Sequence, residues 1–164
     1  MKNFIKFGLA SLLISTISAC STTSHLSKTN SQATQTQTSF ILVNAKKNST
    51  ESDKYFQNAL ITQLQKNNIV LDEKNADTEI KYDLTFNEGN RALRYFVGFG
   101  AGKATGNVKV SLLEIPTTTP IASVNTDASL SMGALGGDAN TVLNNAAKDI
   151  AKKINEAEIF KKSN

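Results

Sequence analysis

The sequence predicts an α+β two-layer domain in which roughly five strands form one antiparallel or mixed sheet and two helices lie on one of its faces. Three observations carry this reading. Apolar and polar residues alternate strictly from Glu79 to Asn87, the mark of a strand with one buried face. Two other stretches, one before that strand and one near the C-terminus, space their apolar residues as amphipathic helices do. The 164 residues hold one domain with a core and are too few for two. The chain divides into residues 1–19 as a signal peptide, 20–38 as a lipidated cysteine and tether, and 39–164 as the domain.

Met1 to Phe7 carries Lys2 and Lys6 without an acidic residue, and Gly8 to Ile17 is largely apolar. Ile17-Ser18-Ala19 then leads into Cys20, the only cysteine. A basic, an apolar and a small-residue segment in that order form a secretory leader. The apolar run is too short for a spanning helix, which needs about 20 residues. Ile17 to Cys20 resembles the bacterial lipobox, which implies cleavage before Cys20 and its acylation, palmitate included. An ordinary signal peptide followed by a chance cysteine is the alternative. With Ser21 and not Asp after the cysteine, the sorting pattern of such lipoproteins implies the outer membrane, on its periplasmic side. Several acyl chains at about 0.8 kcal/mol per buried methylene make that anchoring stable.

Cleavage removes Lys2 and Lys6 from the 18 basic residues, leaving a small excess over the 14 acidic ones. Such a surface, without tryptophan, carries no electrostatic footprint for nucleic acid. Ser21 to Thr38 is mostly Ser, Thr, Gln and Asn with a single leucine and no carboxylate, which predicts a disordered tether. A flexible chain of this length reaches roughly 20–25 Å. His25, the only histidine, falls in it and reads as solvated polarity.

Order is expected to begin with a short strand, Phe40-Ile41-Leu42-Val43. Thr50 or Ser52 caps a helix with acids in its first turn and a stripe of Phe56, Ala59, Leu60 and Leu64. Asn67-Asn68 ends it, Ile69-Val70-Leu71 reads as a second strand, and Asp72 to Asp77 as a turn. Glu79 to Asn87 is the clearest strand. Val108, Val110 and Leu112 mark the next, where Leu113 breaks the phase and suggests a bulge or a strand buried on both faces near its end. Pro116 to Pro120 makes a turn into a strand of smaller residues, Ala122 to Leu130. Asp138 caps a final helix with Leu143, Ala146, Ala147, Ile150 and Ile154 on one face, and Ile159 and Phe160 fasten its end.

Between the middle strands lies Asn90 to Gly106, with both arginines and four of the nine glycines. A phosphate loop would need glycine at 97 and a hydroxyl at 104, and the chain has Val97 and Ala104. Gly98, Gly100 and Gly102 are spaced too closely for a dinucleotide fingerprint. Three readings stand: strand glycines that let the Ala-rich last helix approach, an apolar surface for a partner or membrane, or a membrane-crossing hairpin formed on oligomerisation. The candidate interaction surface is Arg91, Arg94, Tyr95, Phe96, Gly98, Phe99, Gly100, Gly102 and Lys103. The arginines pair either with Asp83, Glu88 or Asp127 inside the domain or with an anionic partner group.

Catalytic classes find little material. With one histidine in the tether and one cysteine taken by lipid, a nucleophile lacks its base, and zinc or redox metals lack ligands. Asp77, Glu79 and Asp83 share a strand face with Lys81, which reads as a solvated polar face before it reads as a hard-cation site. No cofactor is expected and the protein is read as no enzyme.

Arg-Ala-Leu-Arg-Tyr-Phe-Val-Gly-Phe-Gly-Ala-Gly-Lys-Ala, followed by the strand pattern, the Pro-containing turn and the Ala/Ile-rich helix, resembles a family of bacterial lipoproteins, domain of unknown function 4410. The resemblance implies an envelope lipoprotein and brings no catalytic residues. The expectation is therefore a non-enzymatic binding or scaffold domain acting on a protein or envelope component. An oligomeric or pore-associated lipoprotein, and a small-ligand binder or enzyme with a pocket beside the glycines, are the alternatives.

Overall fold

The computed structural model describes residues 19–29, 36–89, 103–131, 138 and 140–161. The elements are β1 (Ala19–Lys28), β2 (Ser39–Asn44), α1 (Glu51–Lys66), β3 (Val70–Leu71), β4 (Thr78–Asn87), β5 (Ala104–Glu114), β6 (Thr119–Ser131) and α2 (Asn140–Glu156). They build the α+β two-layer domain the alternation predicted, as one six-stranded mixed sheet with both helices on one face. The strand order is β1-β6-β5-β4-β2-β3. The pairs β1–β6, β6–β5 and β5–β4 are antiparallel, while β2 lies parallel to both β4 and β3.

β4 shows why alternation works as a signal: Ile80, Tyr82 and Leu84 are buried and Lys81, Asp83 and Thr85 are exposed. Facing them across the register, Val108, Val110 and Leu112 of β5 are buried too. The phase break at Leu113 is a register shift between Leu112 and Leu113 against β6. α2 lays Leu143, Ala146, Ala147, Ile150, Ala151 and Ile154 into the core, and α1 contributes Phe56, Leu60 and Leu64. Each large apolar side chain so buried contributes about 1.5–3 kcal/mol. The small residues of α2 permit the close approach expected of the last helix. One glycine that serves it is Gly106 in β5, where a Cβ would stand 3.4 Å from Val142 Cγ1.

α1 is started by Thr50, whose side chain accepts from the Asp53 amide while Asp53 Oδ2 accepts from the Thr50 amide at 2.8 Å. This capping box satisfies two donors at the helix start. The Asp53 side chain is fully buried, and Lys46 Nζ stands 3.4 Å from its Oδ1. Lys46 Nζ also donates to the Leu84 carbonyl. Burial pushes the Asp53 carboxyl up, yet the Thr50 hydrogen bonds and the Lys46 charge hold it below the ordinary carboxylate range. Phe56 and Tyr82 meet beneath it with ring centroids 5.3 Å apart. Burial, with the Asp53 charge adding to it, pushes the Tyr82 hydroxyl up to about 12.

One part of the tether reading is corrected. Ser21 to Lys28 belongs to β1, paired residue for residue with β6 from Ala19↔Ser131 to Lys28↔Ala122. The composition is polar because an edge strand of this kind makes its main contacts through the backbone. Two of its described inward residues pack against the rest of the fold. Leu26 lies against the core, and buried Ser24 shares a 2.7 Å hydrogen bond with buried Thr126 of β6. His25 is therefore an exposed strand residue and not part of a mobile linker. Toward the end of the same stretch, Gln37 is buried and bridges to Phe160, so the C-terminal Ile159-Phe160 pair is fastened as expected.

Candidate functional site

The helix-free face of the sheet is a continuous polar surface. Registers align Ser21, Ser129, Thr105 and Asn87 in one row across β1, β6, β5 and β4. The next row is Thr23, Asp127, Asn107 and Thr85, and the third is His25, Asn125, Lys109 and Asp83. Because side chains alternate, outward positions two residues apart on each of the four strands fall in successive rows. In the second row, Asn107 Nδ2 donates to Asp127 Oδ1 at 2.7 Å. The first two rows line a groove of about 430 Å³ that Lys103 closes at the entry to β5.

A second groove of about 440 Å³ lies where the two helices begin, lined by Glu51, Tyr55, Asn58, Glu88 and Asn140 among others. Asn144 Nδ2 donates to the Tyr55 hydroxyl beside it at 2.7 Å. Asp138 stands at the start of α2, where its Oδ1 accepts from the Asn140 amide at 3.0 Å.

Of the residues singled out in the sequence, Lys103 is exposed at the first groove. Arg91, Arg94, Tyr95, Phe96, Gly98, Phe99, Gly100 and Gly102 lie outside the described residues. Asp127, considered as an arginine partner, accepts from Asn107. Cys20 is in β1, opposite Leu130.

The carboxylates considered for a hard cation separate. Asp77 accepts from the Thr38 and Ser39 amides at 2.7 and 3.2 Å, tying the start of β2 to the start of β4. Burial pushes its carboxyl up, but the hydrogen bonds from Thr38, Ser39 and Thr78 outweigh it and lower it overall. Among the described residues no group of three or more His, Cys, Asp or Glu side chains is placed to hold a metal ion. Sequence reasoning missed the open-face rows because the alternation of each strand was legible but the register between strands was not. It missed the Asp77 clamp because its partners, Thr38 and Ser39, were assigned to the tether or its edge.

Residues 22–134 match the family model described as Domain of unknown function (DUF4410). No curated protein sequence matches the chain. Among solved structures, the PelC dodecamer from Paraburkholderia phytofirmans is similar, with a TM-score of 0.59 at 8% identity over 88% of this chain and 100% of that one. A point variant of the same PelC gives 0.57 at 11% identity with the same coverage. A PDZ domain protein from Parabacteroides distasonis gives 0.53 at 8% identity, over 84% of this chain and 37% of its own. At such identities the likeness is one of fold.

Proposed function

The chain belongs to the family described as Domain of unknown function (DUF4410), and from that premise we propose an envelope lipoprotein whose domain binds a protein or other envelope component without catalysing a reaction. The anchor is Cys20, and the site is the periplasmic side of the outer membrane, as the lipobox and Ser21 imply. Among the described residues no helix is long and apolar enough to cross a membrane.

The observation that carries the binding role is the grooved polar face made by β1, β6, β5 and β4. Its donors and acceptors sit in fixed rows on a rigid sheet, which suits recognition of a polar partner surface. A photoreactive residue in place of Thr23 or Thr85, in the second row of the groove, is expected to give a specific adduct in living cells. A lipidated monomer that yields none contradicts the reading.

A second reading is assembly with further copies of the same chain. The fold likeness to a PelC dodecamer supports it. Native mass of the mature protein separates the two: a multi-subunit species favours assembly, and a monomer favours a different partner.

A further inference from the structure

We infer that the domain is seated directly on the bilayer, with no tether, and that the end of the sheet carrying Cys20 is the membrane-facing pole. The inference rests on the lipoprotein reading of Cys20. Its own support is the register of β1. In the mature chain pairing begins at Cys20↔Leu130 and continues without a break to Lys28↔Ala122. A lipidated Cys20 is thus followed at once by a strand fixed in the sheet, where a solvated tether would have placed the domain roughly 20–25 Å away.

The same end of the molecule gathers several other features. Ala104 lies opposite Leu130 in β6, and Asn87 opposite Thr105. The chain leaves β4 through Glu88 and Gly89 and re-enters the sheet at Lys103 on this pole. Glu51, Glu88 and Asn140 line one groove, which places the first residues of both helices here as well. Two helix N-termini bring partial positive charge toward this side, offset by the carboxylates of Glu51, Glu88 and Asp138, so the seating rests on the lipid and the β1 register and not on charge. The opposite pole carries Lys28 and the turn at 115–118, whose Ile115 amide donates to the Asp77 carbonyl. At about 3.3 Å per strand residue, Lys28 stands roughly 23 Å above Ser21.

The partner is therefore a lipid surface, met by the pole that holds Glu88, Lys103 and the helix starts. The test uses the mature lipoprotein in phosphatidylethanolamine and phosphatidylglycerol vesicles with brominated acyl chains, labelled singly with a fluorophore at Thr105→Cys, Glu88→Cys or Thr117→Cys. Quenching at Thr105→Cys and Glu88→Cys is expected to exceed that at Thr117→Cys several-fold. A flexible Gly/Ser insert of about 20 residues between Cys20 and Ser21, with a reach of about 25 Å, is expected to abolish the difference. Fatty acid on Cys20 by mass with equal or reversed quenching at the two poles overturns the inference. Absence of fatty acid on Cys20 overturns the lipoprotein reading beneath it.

Discussion

The two edges of the sheet are made of different material. On the β2–β3 side, Phe40 is fully buried under α1, and polar fastenings are concentrated in the Asp53 and Asp77 clusters. On the β1 side the strand is Ser, Thr and His almost throughout, and its inward anchors are Leu26 and the Ser24–Thr126 hydroxyl pair. An edge can thus be held by a few large residues or by a long backbone ladder with one satisfied buried polar contact. The first kind announces itself in hydropathy. The second does not, because backbone hydrogen bonds leave no trace in composition.

Substitutions on the two sides separate these modes. Phe40→Ala is expected to cost about 3–5 kcal/mol in urea unfolding, since a fully buried aromatic leaves a cavity. Asp77→Asn comes next, at about 1.5–3 kcal/mol, because it weakens charge-assisted bonds from two amides.

That contribution is pH-dependent with a definite sign. The unfolded carboxyl titrates near 3.9, and the folded one lies lower, so protonation favours the unfolded chain. The stabilisation is complete above about pH 5 and is lost as the pH falls through the folded value. Stability measured from pH 6 down to pH 3 should therefore decline less steeply in Asp77→Asn; an unchanged slope would remove Asp77 from the account.

On the β1 side, Thr126→Val strands the buried Ser24 hydroxyl and is expected to cost about 1–3 kcal/mol. Adding Ser24→Ala should recover part of that loss, and a double-mutant cycle reads the coupling. Additive effects would mean that the hydroxyls do not meet. Least of all, Thr85→Ala on the open face should stay within about 0.5 kcal/mol of the parent, while a change in partner crosslinking at unchanged stability would mark it as a contact residue.

How much of this was legible follows the same division. β4, β5, both helices, the Thr50 cap and the Leu113 bulge were readable, because each buries a periodic apolar set or uses a local capping pattern. β1 was not, since a strand whose partner lies about a hundred positions away and whose contacts are mostly main-chain looks like a polar linker. The Asp77 clamp was hidden for the same reason, its partners Thr38 and Ser39 being distant in sequence. The open-face groove needed the registers of four strands at once. Of its lining, the sequence singles out Lys103 as part of the glycine segment and Asp127 as a partner for an arginine, neither as part of a groove.

Ser21 to Lys28 is a paired strand of the sheet and not a tether. Thr29 donates its amide to Ile121, and antiparallel alternation then turns the amides of Thr23, His25 and Ser27 toward β6. Hydrogen exchange of the mature protein tests this directly. The amides of Thr23, His25, Ser27 and Thr29 are expected to be protected well above those of an unstructured peptide; their exchange at random-coil rates, beside a protected β5, would show a tether instead of a strand.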